Sequence, residues 1–373
     1  MNLTKFNINT LAMFAFLLIF PLDYIAYTLG HIGFPSIPIG FLGTTISFAL
    51  FFIFFLKKDL RISDLNILVF LGSFSFFIAL SQNAVRMDYL YWAKSIGMFF
   101  VGIMMYDYFK QKNSIFYKHI SILLLIIMSI FTLRYTPDGN YLRLSDAFVI
   151  TSLFLVSYQK RFLVTILTVA ISCFALYEIG SRAGVLIYSL IAILLIYAKY
   201  GFWKFSIFVP PALYVLYQFI MNLNESITNY NDNRLFRLLF SSDTDTSLNL
   251  RKTFNELGYQ EFLNHPVLGN FGYYRNIYGE GSYAHNYISY LAEFGIIGIA
   301  FLILVVGLYV VFVIQNFKIR TNYNLFIFAL STFCIIGLAS AKSYYWIVPF
   351  LALGLLYRAV STRKYWKNHE QSS

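Results

Sequence analysis

Arg86, Arg134, Arg143, Arg182, Arg251 and Arg275 border apolar runs on the side of the chain's alternating pattern where basic residues are otherwise scarce. Guanidinium groups keep their charge and bind phosphate oxygens in pairs of hydrogen bonds, so together they read as a site for an anion such as a diphosphate headgroup. The plainer reading is snorkelling, or pairing with Asp88, Asp138, Asp146 and Glu178. Gly180-Ser181-Arg182-Ala183-Gly184 lies between two apolar runs. Taken alone it reads as a tight helical hairpin, though its small residues would also let a large headgroup approach the backbone. Tyr283-Ala284-His285-Asn286 opens a long apolar run that continues through Glu293, Gly295 and Gly298. A histidine at a helix start is more often a cap or interface residue than a catalyst. Asn286 and Glu293 are seven apart, a spacing that predicts one helix face, and a carboxylate inside a membrane span is costly unless it meets a polar cavity or a partner. Gly295 and Gly298 read as close-packing positions. Lys94, in Tyr91-Trp92-Ala93-Lys94, either snorkels outward or lines the same cavity as the arginines.

The elements that must hold these groups are membrane helices. Apolar residues make up 59% of the 373-residue chain and charged residues 12%, with a mean hydropathy of +0.65; a soluble domain carries about a quarter charged residues. The expected fold is all-α: one polytopic membrane domain over residues 1–373, with about twelve spans of roughly twenty residues each. The spans fall near 10–30, 37–56, 65–81, 88–108, 118–133, 145–158, 162–178, 183–199, 203–222, 284–314, 323–340 and 343–358. The first follows Lys5 and could pass for a secretory leader, but it holds Pro21 and Asp23 and lacks a small-residue cleavage site. It reads as an uncleaved span.

The net charge of +11 does not point to nucleic acid, because the basic residues are scattered between apolar runs. With the N-terminus inside, most of the 28 Lys and Arg residues, from Lys5, Lys57 and Lys58 to Arg363, Lys364 and Lys367, fall on inner connections. Both termini are then cytoplasmic, and the long hydrophilic segment 223–283 is outside, where there is no ATP. Within it Leu250, Phe254 and Leu257 recur at helical spacing after Ser247 or Asn249, and Asn264-His265-Pro266 ends the run. This predicts a short amphipathic helix at the membrane surface. Cys173 and Cys334 sit in apolar runs and read as small buried side chains.

Three pieces carry a family resemblance: Ser181-Arg182-Ala183-Gly184; Arg251 opening the outer helix that ends at His265-Pro266-Val267-Leu268-Gly269; and His285-Asn286 through Glu293-Phe294-Gly295-Ile296-Ile297-Gly298. In this order, around one enlarged outer loop, they resemble the O-antigen polymerase and O-antigen ligase superfamily. The match covers about residues 180–300. The resemblance implies inverting, metal-independent glycosyl transfer on the periplasmic face of the bacterial inner membrane. Its donor is a glycan on undecaprenyl diphosphate, no cofactor is needed, and the essential basic positions fall on Arg182, Arg251 and His285. Arg275, Arg86 and Arg143 lie outside any matched motif, and topology alone makes them candidate substrate-binding residues; Lys94, Asn286 and Glu293 are further candidates from their place at or inside an apolar run.

In that chemistry Arg182 and Arg251 would stabilise the departing diphosphate, while His285 would act as general base or as a positioning group, with Glu293 and Glu280 as weaker bases. The five histidines are far apart in sequence and show no metal-ligand spacing. Gly281-Ser282-Tyr283-Ala284-His285-Asn286 with Ser289 is closer to the polymerases, which add glycan to another lipid-linked repeat unit, than to the ligases, which join it to lipid A core. Expected partners are the lipid-linked oligosaccharide, membrane lipid, and a chain-length regulator and flippase of the same export system, with no nucleic acid. A reading of another class is a lipid-linked oligosaccharide flippase, which would more typically show two related halves and ionisable groups at mid-membrane.

Overall fold

The chain was analysed as a computed structural model, which describes residues 8–35, 37–56, 70–73, 78, 81, 84–110, 114–134, 141–226, 246–279, 284, 286–316, 321–340 and 342–370. Among these, every regular element is a helix. The first apolar run is a single span in three parts, α1 (Ile8–Leu17), a π-helical turn (Leu18–Leu22) and α2 (Asp23–His31). Pro21 sits in the π turn: it has no N–H to donate, and the wider turn takes up the misfit. There follow α3 (Ile39–Leu56), α4 (Arg86–Lys110), α5 (Ser114–Arg134), α6 (Tyr141–Tyr158), α7 (Phe162–Glu178), α8 (Arg182–Ser226), α9 (Thr246–Asn264), α10 (Tyr273–Tyr278), α11 (Ile288–Asn316), α12 (Asn322–Ser340) and α13 (Val348–Glu370).

Six stretches among the described residues are long and apolar enough to cross a membrane: Thr10–His31, Tyr117–Arg134, Tyr141–Tyr158, Ala183–Ser206, Ile288–Asn316 and Asn322–Ser340. Shorter apolar helices cover Ile39–Leu50, Phe162–Glu178 and Val348–Thr362. The span expected at 65–81 falls mostly outside the described residues. The one expected at 145–158 is longer, because Tyr141 to Leu144 add a turn. The spans expected at 183–199 and 203–222 are two helical segments that meet at a kink at Gly201 (φ 79°, ψ 176°), and both are numbered here within α8.

Aromatic side chains fill the interior, as in the Phe16, Phe109, Phe154 and Phe326 group, whose rings meet at 5.5–6.4 Å. The closest crossing is α4 on α13. There a side chain at Gly102 would strike the Leu351 carbonyl, and one at Gly354 would strike the Phe99 carbonyl. Small residues let membrane helices approach to backbone contact where there is no hydrophobic drive between them. This crossing packs α4 against α13, and α4 carries Asp88, Tyr91 and Lys94.

Ionisable groups sit at the two ends of the bundle. At one end Arg358 grips Asp107 through two nitrogens at 2.9–3.1 Å, and Lys199 caps the Val156 and Ser157 carbonyls at 2.7 and 2.9 Å. At the other end lie Asp23, Asp88, Arg143, Asp146, Arg275 and Lys342.

The segment between α8 and α11 holds the predicted amphipathic helix. α9 runs Thr246–Asn264, starting one residue before Ser247 and stopping at Asn264 as the His265-Pro266 pair requires. Phe254 and Leu257 pack with Tyr274, Ala284, Ile288 and Ala292 into a small satellite core, while Leu250, Tyr259 and Leu263 are exposed.

Candidate functional site

One expectation fails at α11. Asn286 and Glu293 were expected on one face of a continuous helix, but Asn286 lies outside it in a left-handed turn (φ 59°), and the helix starts at Ile288. The Asn286 side chain accepts from the Ile288 N–H at 3.0 Å, and its carbonyl accepts from the Ser289 hydroxyl at 2.8 Å. An Asn can cap a helix this way because its short amide replaces the missing backbone partner.

A second break follows at Gly295 (φ 56°, ψ −134°), a backbone conformation closed to residues with a Cβ. The helix folds back so sharply that Tyr290 lies over Gly298 and stacks on Phe301, with centroids 5.3 Å apart and planes at 11°. In an unbroken helix the Ile296 N–H would bond the Ala292 carbonyl. Here the loop after α9 takes both groups: the Pro266 carbonyl accepts from Ile296 at 2.9 Å, and the Asn270 N–H donates to Ala292 at 2.8 Å. Glu293, buried, accepts from the Gly272 N–H at 2.6 Å, which is the partner its position demanded. Asn270 also donates to Glu261 of α9 at 2.6 Å. Residues 266–272 thus clasp the kink, and Gly269 (φ 67°) lies directly on the Glu293–Phe294 peptide. The second and third pieces of the family resemblance are the two halves of this clasp.

The Gly180–Gly184 segment is a helical hairpin. The Ser181 N–H bonds the Leu176 carbonyl and the Gly180 N–H the Tyr177 carbonyl, closing α7, and the Ser181 hydroxyl then accepts from the Gly184 N–H at 3.3 Å to open α8. Gly184 is small because Ser145 of α6 occupies the space a side chain would need.

Asp88, fully buried in the first turn of α4, joins α4 to α10 and to residues 342–347. It accepts from Arg275 at 2.9 and 3.0 Å, from the Tyr345 hydroxyl at 2.7 Å, and from the Val85 N–H at 2.8 Å, the last completing a helix N-terminus. Burial works against the charge on Arg275, but its hydrogen bond to Asp88 and the charges of Asp88, Tyr345 and Tyr344 outweigh that, so its pKa lies above the ordinary arginine value. The segment 342–347 then reaches both ways: the Tyr344 N–H donates to Ser289 of α11 at 3.0 Å, and the Tyr91 hydroxyl of α4 donates to the Tyr344 carbonyl.

Residues 342–343 and 345–348 also line a cavity of about 300 Å³. Its polar lining comprises Asp23, Tyr91, Lys94, Arg143, Asp146, Lys342, Ser343, Tyr345 and Trp346. Arg143 Nε donates to Asp23 at 2.8 Å; Lys342 and the Trp346 indole both donate to Asp146, at 2.6 and 2.9 Å. Lys94 makes no ion pair among the described residues.

In comparisons with known proteins, no family model and no curated protein matches this chain.

Of the residues singled out from the sequence, Lys94 and Arg143 meet in the cavity, and Glu293, Asn286 and Arg275 belong to the clasp and its link to α4. Arg251 is half-buried on α9 and forms no ion pair among the described residues. His285 lies outside the described residues, as do the side chains of Arg86 and Arg182. Arg134 is exposed at the end of α5. No group of three or more His, Cys, Asp or Glu among the described residues is placed to hold a metal ion. Asp23, Asp146, Lys342 and Trp346 were not singled out as site residues. The available signal was that a carboxylate or ammonium inside an apolar run faces an interior partner or a cavity.

Proposed function

We propose that this chain is a polysaccharide polymerase of the O-antigen polymerase kind, transferring a glycan from a polyprenyl diphosphate onto a hydroxyl of a second lipid-linked repeat unit at the outer face of the membrane. The acceptor oxygen attacks the anomeric carbon, the bond from that carbon to the diphosphate oxygen breaks, and the diphosphate leaves with the bonding electrons. The hydroxyl proton passes to His285, or to water if the diphosphate departs early. Arg182 and Arg251 stabilise the negative charge that grows on the leaving diphosphate, which is the moment at which an interaction lowers the barrier. The donor bond is already activated, so no nucleotide is needed.

The observation that carries this reading is the clasp. Two motif pieces well apart in sequence (265–269 and 293–298) are bonded to each other through their backbones. This suits a fixed platform from which Arg251 and His285 act. The enlarged segment between α8 and α11 supports it further.

The test is the surface polysaccharide of a deletion strain complemented with wild type, Arg251→Ala or His285→Ala, resolved by gel and stained for sugar at matched protein level. A deletion that leaves core with a single repeat unit, restored to a ladder by wild type and by neither variant, is the expected result. Free core with lipid-linked long chains accumulating would make the chain a ligase. Loss of translocated lipid-linked units would make it a flippase, and a normal ladder from both variants would refute the site assignment.

A further inference from the structure

The cavity between α2, α4, α6 and residues 342–348 has a charge balance that the transfer chemistry does not use. Lys94, Arg143 and Lys342 face Asp23 and Asp146. Two of the cations are already paired, Arg143 with Asp23 and Lys342 with Asp146, and both pairs are held by further contacts. The Trp346 indole fixes Asp146 from a second direction, and Arg143 lies over the Tyr27 ring at 5.9 Å. Lys94 lines the same cavity and makes no ion pair among the described residues, which leaves an excess of one positive charge. An unpaired ammonium at membrane depth is costly, and a ligand bearing one negative charge would remove that cost.

A diphosphate carries too much charge for this balance, since it would leave the cavity net negative and strain both existing pairs. The walls favour a sugar over a simple anion. Tyr91, Tyr345 and Trp346 supply aromatic faces, while Ser343 and the two carboxylates add hydroxyl-binding groups. A volume of about 300 Å³ is at the small end of ligand pockets, which run from roughly 300 to 1,000 Å³, and so suits one or two sugar rings rather than an extended chain.

The geometry points to this cavity as a subsite for a glycan residue carrying a single carboxylate, with Lys94 as the residue that recognises the acid. The inference rests on the polymerase reading for its ligand: the acidic residue belongs to the repeat unit being joined. Lys94 is then a specificity residue, and Arg143 and Lys342 position the walls.

The experiment uses the full chain purified into phosphatidylcholine nanodiscs, with methyl glucuronoside and methyl glucoside as probes, for wild type, Lys94→Gln and Lys94→Arg. Wild type is expected to bind the glucuronoside at least tenfold more tightly than the glucoside. Lys94→Gln should abolish the difference while Lys94→Arg retains most of it. Equal binding of the two sugars, no binding of the glucuronoside, or a preference unchanged in Lys94→Gln would each overturn the inference. Displacement of the glucuronoside by phosphatidylglycerol added to the nanodiscs at equal concentration would overturn it too, and would assign the charge to a lipid headgroup. The sugar composition of the surface polymer separates this inference from the reading beneath it. A ladder that depends on this chain but contains no carboxylated sugar refutes the acidic subsite and leaves the polymerase standing. Glucuronoside selectivity in a chain whose deletion leaves the ladder intact supports the subsite and refutes the polymerase.

Discussion

Replacing Gly295 by alanine puts a methyl group where three loop atoms already lie. Its carbon would be 2.6 Å from the Pro266 and Val267 carbonyl oxygens and 2.7 Å from the Gly269 nitrogen, all of them backbone. Backbone cannot swing aside as a flexible side chain can, so crowding should cost about 1–3 kcal/mol. Holding alanine at φ 56° and ψ −134° adds about 1–3 kcal/mol of strain. The total of about 2–6 kcal/mol corresponds to roughly 30-fold to 10⁴-fold in the balance between clasped and released loop, at about 1.4 kcal/mol per tenfold. Release also has somewhere to go, because alanine favours the α-helix and the Ile296 N–H can then return to the Ala292 carbonyl. Hydrogen exchange on the protein in nanodiscs reads this directly. The Asn270 and Gly272 amides, bonded to Ala292 and Glu293 in the clasp, should exchange at least 30-fold faster, whereas helices at the far end of the bundle should not change. The polysaccharide ladder should be lost with the protein still folded. Unchanged protection of Asn270 and Gly272 in Gly295→Ala would refute the claim that the kink and the loop hold each other.

The buried pair between Asp88 and Arg275 gives a second prediction. Arg275→Ala leaves a fully buried carboxylate with Tyr345 and one backbone N–H as its remaining partners among the described residues, so thermal stability in detergent should fall by about 3–5 kcal/mol; adding Asp88→Asn should recover part of that loss. Double-variant stability no better than Arg275→Ala alone would refute the charge argument. At the hairpin, Gly184→Ala drives a methyl into the hydroxyls of Ser145 and Ser181 and should cost about 1–3 kcal/mol, of which Ser145→Ala in the same chain should restore only the part due to Ser145. The melting temperatures of the two single variants and the double variant decide this, and additive losses would refute it.

Much of the fold was legible before any coordinates because membrane helices are written in local terms. Each satisfies its own backbone, so a run of apolar residues bounded by charges or by glycine and proline is enough to mark one. Phe162–Glu178 and Asn322–Ser340 follow that rule almost to the residue, and α9 was visible from Leu250, Phe254 and Leu257 with its stop at Asn264. The hairpin at Gly180–Gly184 was also readable, since a left-handed glycine followed by a capping serine is a property of five consecutive residues.

What the tertiary structure alone decided is partnership across the chain. Seven-residue spacing put Asn286 and Glu293 on one face only so long as the helix was assumed to run back through Asn286, and that assumption fails because Asn286 takes a left-handed turn and caps a helix that starts at Ile288. Asp23 meets Arg143 across 120 positions, and Asp88 meets Arg275 across 187. No periodicity encodes those distances, because a charge in an apolar run announces that it needs a partner without saying which one. The chain's local pattern therefore determined that it folds into apolar helices, six of them among the described residues long enough to cross a membrane, and where several of them end. Only their packing decided which charges cancel, and so left Lys94 lining an open cavity.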